Sequence, residues 1–105
     1  MIARIWKART VLAHAEGFTR HLEATGLADY RAQDGCTSAY LLRRDEDGIA
    51  HFLLVSLWES LNTITAYSGP DLDLAVLYPG DEEFEVDSDT QARHYRVVVA
   101  ANRRQ

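Results

Sequence analysis

The segment that most constrains the fold is a nearly continuous apolar run that ends on a tryptophan, Ile49–Trp58. Residues 52–55 contain no polar side chain, and only a serine interrupts the apolar character before Trp58. Successive side chains of a strand point to opposite faces, so a strand that is apolar at consecutive positions is covered on both faces. We therefore expect a central strand here, followed by a short helix that Ser60 caps.

The rest of the chain predicts an α+β fold with the ferredoxin-like order βαββαβ. Strands are expected where β-branched and aromatic residues cluster between turn residues, and helices where apolar residues recur every three or four positions. Gly26 is expected to end the first helix, and Pro79 to follow the last one. The predicted strands are 2–8, 36–44, 49–58 and 92–100, and the predicted helices are 11–25, 61–67 and 71–77. A connection is expected over 29–35, a hairpin turn over 45–48 and an exposed acidic loop over 80–89.

The even length of the predicted turn at 45–48 assigns the hairpin side chains to two faces. One face carries Trp58 together with Ala39 and Leu41, and we place this face under the helices. The opposite face carries Tyr40, Leu42, His51, Leu53 and Val55. Because the helices of this motif cover only one face, the second is expected to pack against a second copy in a homodimer.

Length and charge limit the classes of partner. The 105 residues fit one domain, 1–105, with a core over about 2–100. A formal charge of −5 argues against nucleic acid or an anionic membrane as a partner, and the longest apolar run is too short to cross a bilayer. The single cysteine, Cys36, has no partner for an internal disulfide, and the N-terminal residues lack the pattern of a signal peptide. These features favour a cytoplasmic protein.

Four short motifs follow one another along the chain: Trp58-Glu59-Ser60, Gly69-Pro70-Asp71, Tyr78-Pro79-Gly80-Asp81 and His94-Tyr95. As an ordered set, they resemble a subgroup of the antibiotic biosynthesis monooxygenase (ABM) family, and the resemblance covers roughly residues 2–99. It implies a single ABM-like domain that forms a dimeric α/β barrel.

The resemblance also implies an activity. Oxygenases of the family need neither metal nor flavin, because the deprotonated substrate itself gives electrons to oxygen. We therefore expect a cofactor-independent monooxygenase acting on a small aromatic or polyketide-like molecule. This chemistry needs an apolar pocket, a base and donors that stabilise an oxyanion. The expected catalytic residues are His94 as the base and Trp58, and the expected substrate-binding residues are Arg4, Trp6, Asn62, Tyr67 and Tyr78.

Two alternatives use the same fold. One is a non-catalytic dimeric module that binds a small apolar ligand, in which Trp58 and Tyr78 serve packing and His94 lies at the surface or an interface. The other is a cyclase or isomerase that uses the pocket without oxygen. Arg4 and Trp6 contribute to any of these sites only if their face of the first strand points inward.

No metal and no cofactor are expected. His14 and His21 are seven residues apart, without a carboxylate at ligand spacing. The haem-degrading branch of the family carries an Asn on the first strand and a His about ten residues after the strand-end tryptophan. Arg4 and Ser68 occupy those places here, and only Trp58 is kept. The resemblance therefore does not extend to haem degradation.

Overall fold

A computed structural model describes residues 1–103, and over these residues the chain forms a five-stranded antiparallel sheet with helices packed on one face. The predicted α+β class and ferredoxin-like order are confirmed. The strands are β1 (Ile2–Val11), β2 (Cys36–Glu46), β3 (Ile49–Trp58), β4 (Asp87–Ser88) and β5 (Arg93–Arg96). The helices are α1 (Leu12–Leu22), which continues through a π-helical turn (Glu23–Leu27) into α2 (Ala28–Arg31), then α3 (Leu61–Ser68) and a 3₁₀ turn (Asp81–Phe84).

The order of strands places the apolar strand inside the sheet, as predicted. β3 pairs with β2 on one side and with β1 on the other, while β4 and β5 both pair with the far edge of β1. The β2–β3 turn consists of Asp47 and Gly48, both at positive φ (54° and 76°), which suits a two-residue hairpin. β2 therefore extends to Glu46, beyond its predicted end at residue 44, whereas β3 begins at Ile49 as predicted.

The hairpin register confirms the predicted division into two faces. Leu41 lies opposite Leu54, and Leu42 lies opposite Leu53. The face of Trp58 is buried under the helices, where the ring of Phe18 meets the ring of Phe52 edge-on at 5.3 Å. On the other face, 55% of Tyr40 and 48% of Leu42 are exposed. An apolar sheet face is therefore left uncovered in the single chain.

The predicted helix end at Gly26 is wrong, because helical backbone continues to Arg31. The turn after Gly26 brings Leu27 and Tyr30 onto the packed side of the helix, and Tyr30 is only 3% exposed. This burial favours continuing the helix over stopping it. Gly26 instead lies where Leu54 and Tyr78 approach the helix closely, within 3.5 and 3.8 Å of where a Cβ would stand.

The predicted helix over 71–77 is also wrong, since this segment forms turns and one isolated bridge, between Leu74 and Gln91. The carboxylate of Asp71 accepts a bond from the Asp73 N–H, as a helix-capping side chain does, but here the bond closes a turn. The carbonyl groups of Leu72 and Leu74 point to Arg4 and are not available to a helix.

Other boundaries also differ from the prediction, and one cap agrees with it. The first strand runs to Val11 rather than to residue 8. The last strand ends at Arg96 rather than at residue 100, and the acidic stretch 80–89 contains the 3₁₀ turn and β4. Ser60 caps α3 as predicted: its Oγ accepts from the Thr63 N–H, and Thr63 Oγ1 accepts from the Ser60 N–H, both at 3.3 Å. Across residues 1–103, no helix combines the length and apolarity needed to cross a membrane.

Replacing Phe18 tests the packing between α1 and the sheet. Phe18→Ala should lower the free energy of unfolding by about 3–5 kcal/mol, because it leaves a cavity against Phe52. Leu12→Ala, at a residue 43% exposed on the same helix, is the control and should cost less than about 1 kcal/mol. Chemical denaturation measures both, and equal losses would contradict the described core.

Candidate functional site

A small cavity lies between the helix-covered face of the sheet, α1–α2, α3 and the irregular segment 69–80. Its apolar lining includes Trp6, Leu22, Leu54 and Val76, and its polar lining is Arg4, Tyr67, Tyr78 and Asp81. The enclosed volume is about 10 Å³, which is room for about one water molecule. The cavity is therefore closed by the chain's own side chains.

Arg4 is the central polar group of the cavity. The alternation of β1 turns its side chain toward the helices, and only 2% of the residue is exposed. Its Nη1 donates to the carbonyl of Leu72 and its Nη2 to the carbonyl of Leu74, at 3.1 Å for the second bond. Arg4 Nε is buried and has no hydrogen-bond partner within residues 1–103.

His94 lies beside Arg4 because the two residues are paired across β1 and β5. Arg4 Nη1 is 2.9 Å from His94 Nε2, and since a guanidinium only donates, Nε2 must accept. His94 Nδ1 then carries the proton and faces Asp73 Oδ1 at 3.2 Å. Burial, and after it the charge of Arg4, lower the pKa of His94 from its ordinary value. A neutral His94 therefore orients Arg4.

The charge of Arg4 is unusual because no carboxylate within residues 1–103 forms an ion pair with it. Its direct partners are two carbonyl groups and a neutral imidazole, while its Cζ lies 5.7 Å from the centre of the Tyr67 ring. Buried charges are normally paired, since an isolated charge is costly to remove from water. The cavity is thus suited to a ligand with negative charge or with charge that develops during reaction.

Two phenols and a carboxylate form a hydrogen-bonded chain at the cavity. Tyr78 donates to Asp29 Oδ2 at 2.7 Å, so the Tyr67 hydroxyl, 2.9 Å from that of Tyr78, is the donor between the two. Burial is the largest cause that raises the pKa of both tyrosines well above the ordinary value. Both phenols therefore stay protonated and act as hydrogen-bond donors at neutral pH.

Only one of the two tryptophans lines the cavity. Trp6 lines the cavity and donates from Nε1 to the carbonyl of Asp89 at 2.8 Å. Trp58 is fully buried, with the rings of Tyr30 and Tyr67 packed against it at 5.7 Å each. Its Nε1 donates to Ser56 Oγ at 2.8 Å, so this donor is already used inside the core. Trp58 thus supports Tyr67 from behind.

The seven predicted site residues divide into three groups. Arg4, Trp6, Tyr67 and Tyr78 line the cavity. Trp58 and His94 lie behind it, against Tyr67 and Arg4 respectively. Asn62 is exposed on the first turn of α3 and is not among the residues that line the cavity.

Sequence reasoning missed Asp29 and Asp73, the two carboxylates that hold Tyr78 and His94. Both errors follow from wrong element boundaries. With the helix ended at Gly26, Asp29 fell in a connection; continuing the helical spacing would have placed it about one turn beyond Gly26, on the same side as Leu22. Asp73 was assigned to a helix that does not form, so the sequence pattern did not indicate that Asp73 lies beside β5.

A larger depression of about 340 Å³ lies on the uncovered side of the sheet, near Lys7, Arg9, Leu42 and Leu53. It is open to solvent, and the charge of Arg9 is neutralised by Asp87 and Asp89 at 3.2 and 2.9 Å. No buried polar group converges on it. We therefore take the small cavity around Arg4 as the candidate site.

The cavity offers a haem iron none of the commonest ligands. Within residues 1–103, no histidine or cysteine is among the residues that line it. The described part of the chain also contains no cluster of three or more His, Cys, Asp or Glu side chains arranged to hold a metal ion.

Comparison with solved structures supports the fold. The chain is similar to a "putative antibiotic biosynthesis monooxygenase" from Deinococcus radiodurans, with a TM-score of 0.69 and 19% identity, over the full length of both chains. It is also similar to a mutant of MhuD solved with two manganese protoporphyrin IX molecules per active site: TM-score 0.58, 20% identity, 97% of this chain and 99% of the other. No protein-family model and no curated protein sequence matches the chain. At these identities, the comparisons establish the fold alone.

The lowered pKa of His94 predicts a loss of stability in acid. The unfolded chain binds a proton at His94 more readily than the folded chain does. The contribution of neutral His94 to the free energy of unfolding is therefore complete above about pH 6.5, and it is lost as the pH falls through the pKa of His94 in the folded chain. The free energy of unfolding should therefore fall between about pH 7.5 and pH 5. His94→Gln keeps an acceptor for Arg4 but does not titrate, so this variant should lose less.

His14→Gln, on α1 and away from Arg4, is the matched control and should keep the pH dependence of the parent. Urea unfolding at each pH measures all three proteins. If His94→Gln loses as much stability in acid as the parent, the assigned protonation of His94 is wrong.

Proposed function

We propose that the chain is a cofactor-independent monooxygenase that acts on a small aromatic or polyketide-like molecule with an acidic hydroxyl or methylene group. The observation that carries the proposal is the buried charge of Arg4, which lines a cavity and has no carboxylate partner within residues 1–103. A deprotonated substrate would supply the missing negative charge. The shared fold with a protein described as a "putative antibiotic biosynthesis monooxygenase" is additional support.

The proposed reaction balances without a cofactor. Loss of a proton gives a carbanion conjugated to an oxyanion, and this electron-rich species reduces molecular oxygen. An activated methylene group becomes a carbonyl group, R–CH₂–R′ + O₂ → R–CO–R′ + H₂O. One oxygen atom enters the product, the other leaves as water, and the substrate provides all four electrons.

Each cavity residue has a role in this proposal. Arg4 binds the oxyanion, because a fixed charge in a dry site stabilises developing negative charge strongly. The ring of Tyr67 faces the Arg4 guanidinium, and Trp6 forms an apolar wall. His94 is a positioning residue that acts through Arg4, since its Nε2 accepts the Arg4 bond. Trp58 holds Tyr67 in place.

A non-catalytic module that binds a small ligand is the second candidate. The cavity volume of about 10 Å³ admits no organic molecule until the lining moves, and a binding module has to admit only one molecule, whereas the proposed enzyme has to admit a substrate and oxygen. The two functions differ in what happens after binding. Turnover that consumes no oxygen would instead indicate a cyclase or isomerase.

We also propose that two copies pack through the uncovered sheet face, in the reducing environment of the cytoplasm. The face is apolar over Tyr40, Leu42, Leu53 and Val55, and a second copy presents the same surface to it. The unpaired thiol of Cys36 is compatible with a reducing compartment. The formal charge of −5 argues against nucleic acid as a partner.

Oxygen uptake tests the proposed activity. The parent should consume one oxygen molecule per molecule of an anthrone-type substrate without added metal or flavin. Arg4→Lys should lower kcat/KM on the order of a hundredfold, because an ammonium cannot reproduce the guanidinium bonds that fix the charge. Arg9→Lys lies outside the cavity and should react like the parent. Binding without turnover in the parent would favour the second candidate.

Light scattering tests the assembly. At micromolar concentration, the parent should have twice the mass of the 11.9 kDa chain. Leu53→Asp, in the centre of the uncovered face, should give monomers because it places a charge in the interface. Leu61→Asp puts the same charge at an exposed position on α3 and should leave the mass unchanged. A parent that scatters as a monomer would refute the proposed dimer.

A further inference from the structure

The phenol of Tyr78 has two well-matched partners at the cavity. Its hydroxyl donates to Asp29 Oδ2 at 2.7 Å and accepts from Tyr67 at 2.9 Å. A phenol has one proton to donate and lone pairs to accept, so these two bonds meet its main hydrogen-bonding capacity. The ring passes over Gly26, with Cε2 3.8 Å from where a Cβ would stand. Asp29, Tyr67 and Gly26 thus form a subsite shaped for a phenol.

Tyr78 belongs to a segment that is anchored at both ends. At one end, Arg4 holds the carbonyls of Leu72 and Leu74, and the Ala75 N–H donates to Thr90. At the other end, Asp81 Oδ1 pairs with His21 Nε2 at 2.6 Å. Tyr78 lies between these anchors, outside any helix or strand. Its backbone is tied to Asp81, whose Oδ2 accepts from the Tyr78 N–H at 3.2 Å and whose N–H donates to the Tyr78 carbonyl at 3.3 Å. A displacement therefore moves the Tyr78 side chain about a held backbone.

We propose that Tyr78 is an internal plug in a phenol-binding subsite, and that a phenolic ligand displaces it. This inference deepens the proposed function and rests on it for the identity of the cavity as the substrate site. The closed cavity follows directly, because the plug occupies the space that the ligand takes. The incoming phenol makes the same two hydrogen bonds, to Asp29 and Tyr67, so no hydrogen bond of the subsite is lost in the exchange.

Displacement of the plug leaves Asp29 as the acceptor for the ligand. A ligand hydroxyl in the place of the Tyr78 hydroxyl donates to the Asp29 carboxylate and accepts from Tyr67. Burial and the nearby carboxylate raise the pKa of the Tyr78 phenol, and they act on a ligand phenol in the same way. The subsite therefore holds the ligand hydroxyl as a neutral anchor, and the group that ionises is the one that meets Arg4.

Binding of p-cresol, measured by calorimetry under nitrogen, tests the plug. Tyr78→Ala empties the subsite, so it should bind p-cresol at least about tenfold more tightly than the parent, which must first move its own ring. Tyr78→Phe keeps the ring but loses both bonds, so it should show a smaller gain. The matched control is Tyr95→Ala, because Tyr95 is 54% exposed and lies away from the cavity; it should bind like the parent.

The role of the hydrogen bonds is tested with toluene, which has the same ring and methyl group without the hydroxyl. Toluene should bind Tyr78→Ala on the order of tenfold more weakly than p-cresol does, since a bond to a charged acceptor is lost. Adding Asp29→Asn should weaken p-cresol binding and leave toluene binding unchanged. Thermal unfolding of each variant shows whether it is folded. If Tyr78→Ala does not fold, the comparison of p-cresol binding between Tyr78→Phe and the parent still tests the plug.

The plug is refuted if neither Tyr78 variant binds p-cresol more tightly than the parent, or if p-cresol and toluene bind Tyr78→Ala equally. These results are separable from the proposed activity. If the Tyr78 variants bind p-cresol more tightly than the parent but the parent consumes no oxygen, only the proposed monooxygenase activity is refuted. Oxygen uptake with unchanged p-cresol affinity in both variants refutes only the plug.

Discussion

The hydrogen bonds of Arg4 determine how the second half of the chain meets the first. Arg4 lies under the helices because β1 alternates, and there its guanidinium takes the carbonyls of Leu72 and Leu74. These bonds replace the helix that the local sequence favours over 71–77 and bring that segment against the sheet. The same side chain sets the tautomer of His94. Without Arg4, two carbonyls would lose their partner in a partly buried place, and the segment that covers the cavity would lose its anchor.

This arrangement links stability with binding. A buried guanidinium bonded to neutral groups recovers less of its desolvation cost than one bonded to a carboxylate, and the ring of Tyr67 offsets only part of the remainder. Such a cost is typical of functional sites, which give up some of the folding stability that another choice of residues would provide. The unpartnered Nε of Arg4 is consistent with this interpretation. A ligand with negative charge would stabilise the folded chain by binding only to that state.

The sequence predicted those features that depend on local periodicity and failed where distant contacts compete with it. The alternation of β3, the hairpin faces and the Ser60 cap are local patterns, and all three are confirmed. Gly26 looked like a helix end, but Tyr30 finds a buried place only if the helix continues. Of the site, Arg4, Trp6, Tyr67 and Tyr78 were predicted and line the cavity. Asp29 and Asp73 were missed because their partners are 49 and 21 residues away.

The sheet separates the cavity from the uncovered face, and this limits what a second copy can do. Arg4, Trp6 and Leu54 point to the cavity, whereas their neighbours Ile5 and Leu53 point to the opposite side. A partner packed on that side would touch the backs of the strands that form the cavity wall. It would not reach the ligand through the sheet. Pairing would therefore affect the site by stiffening β1 and β3, while the chemistry would rest on residues of one chain.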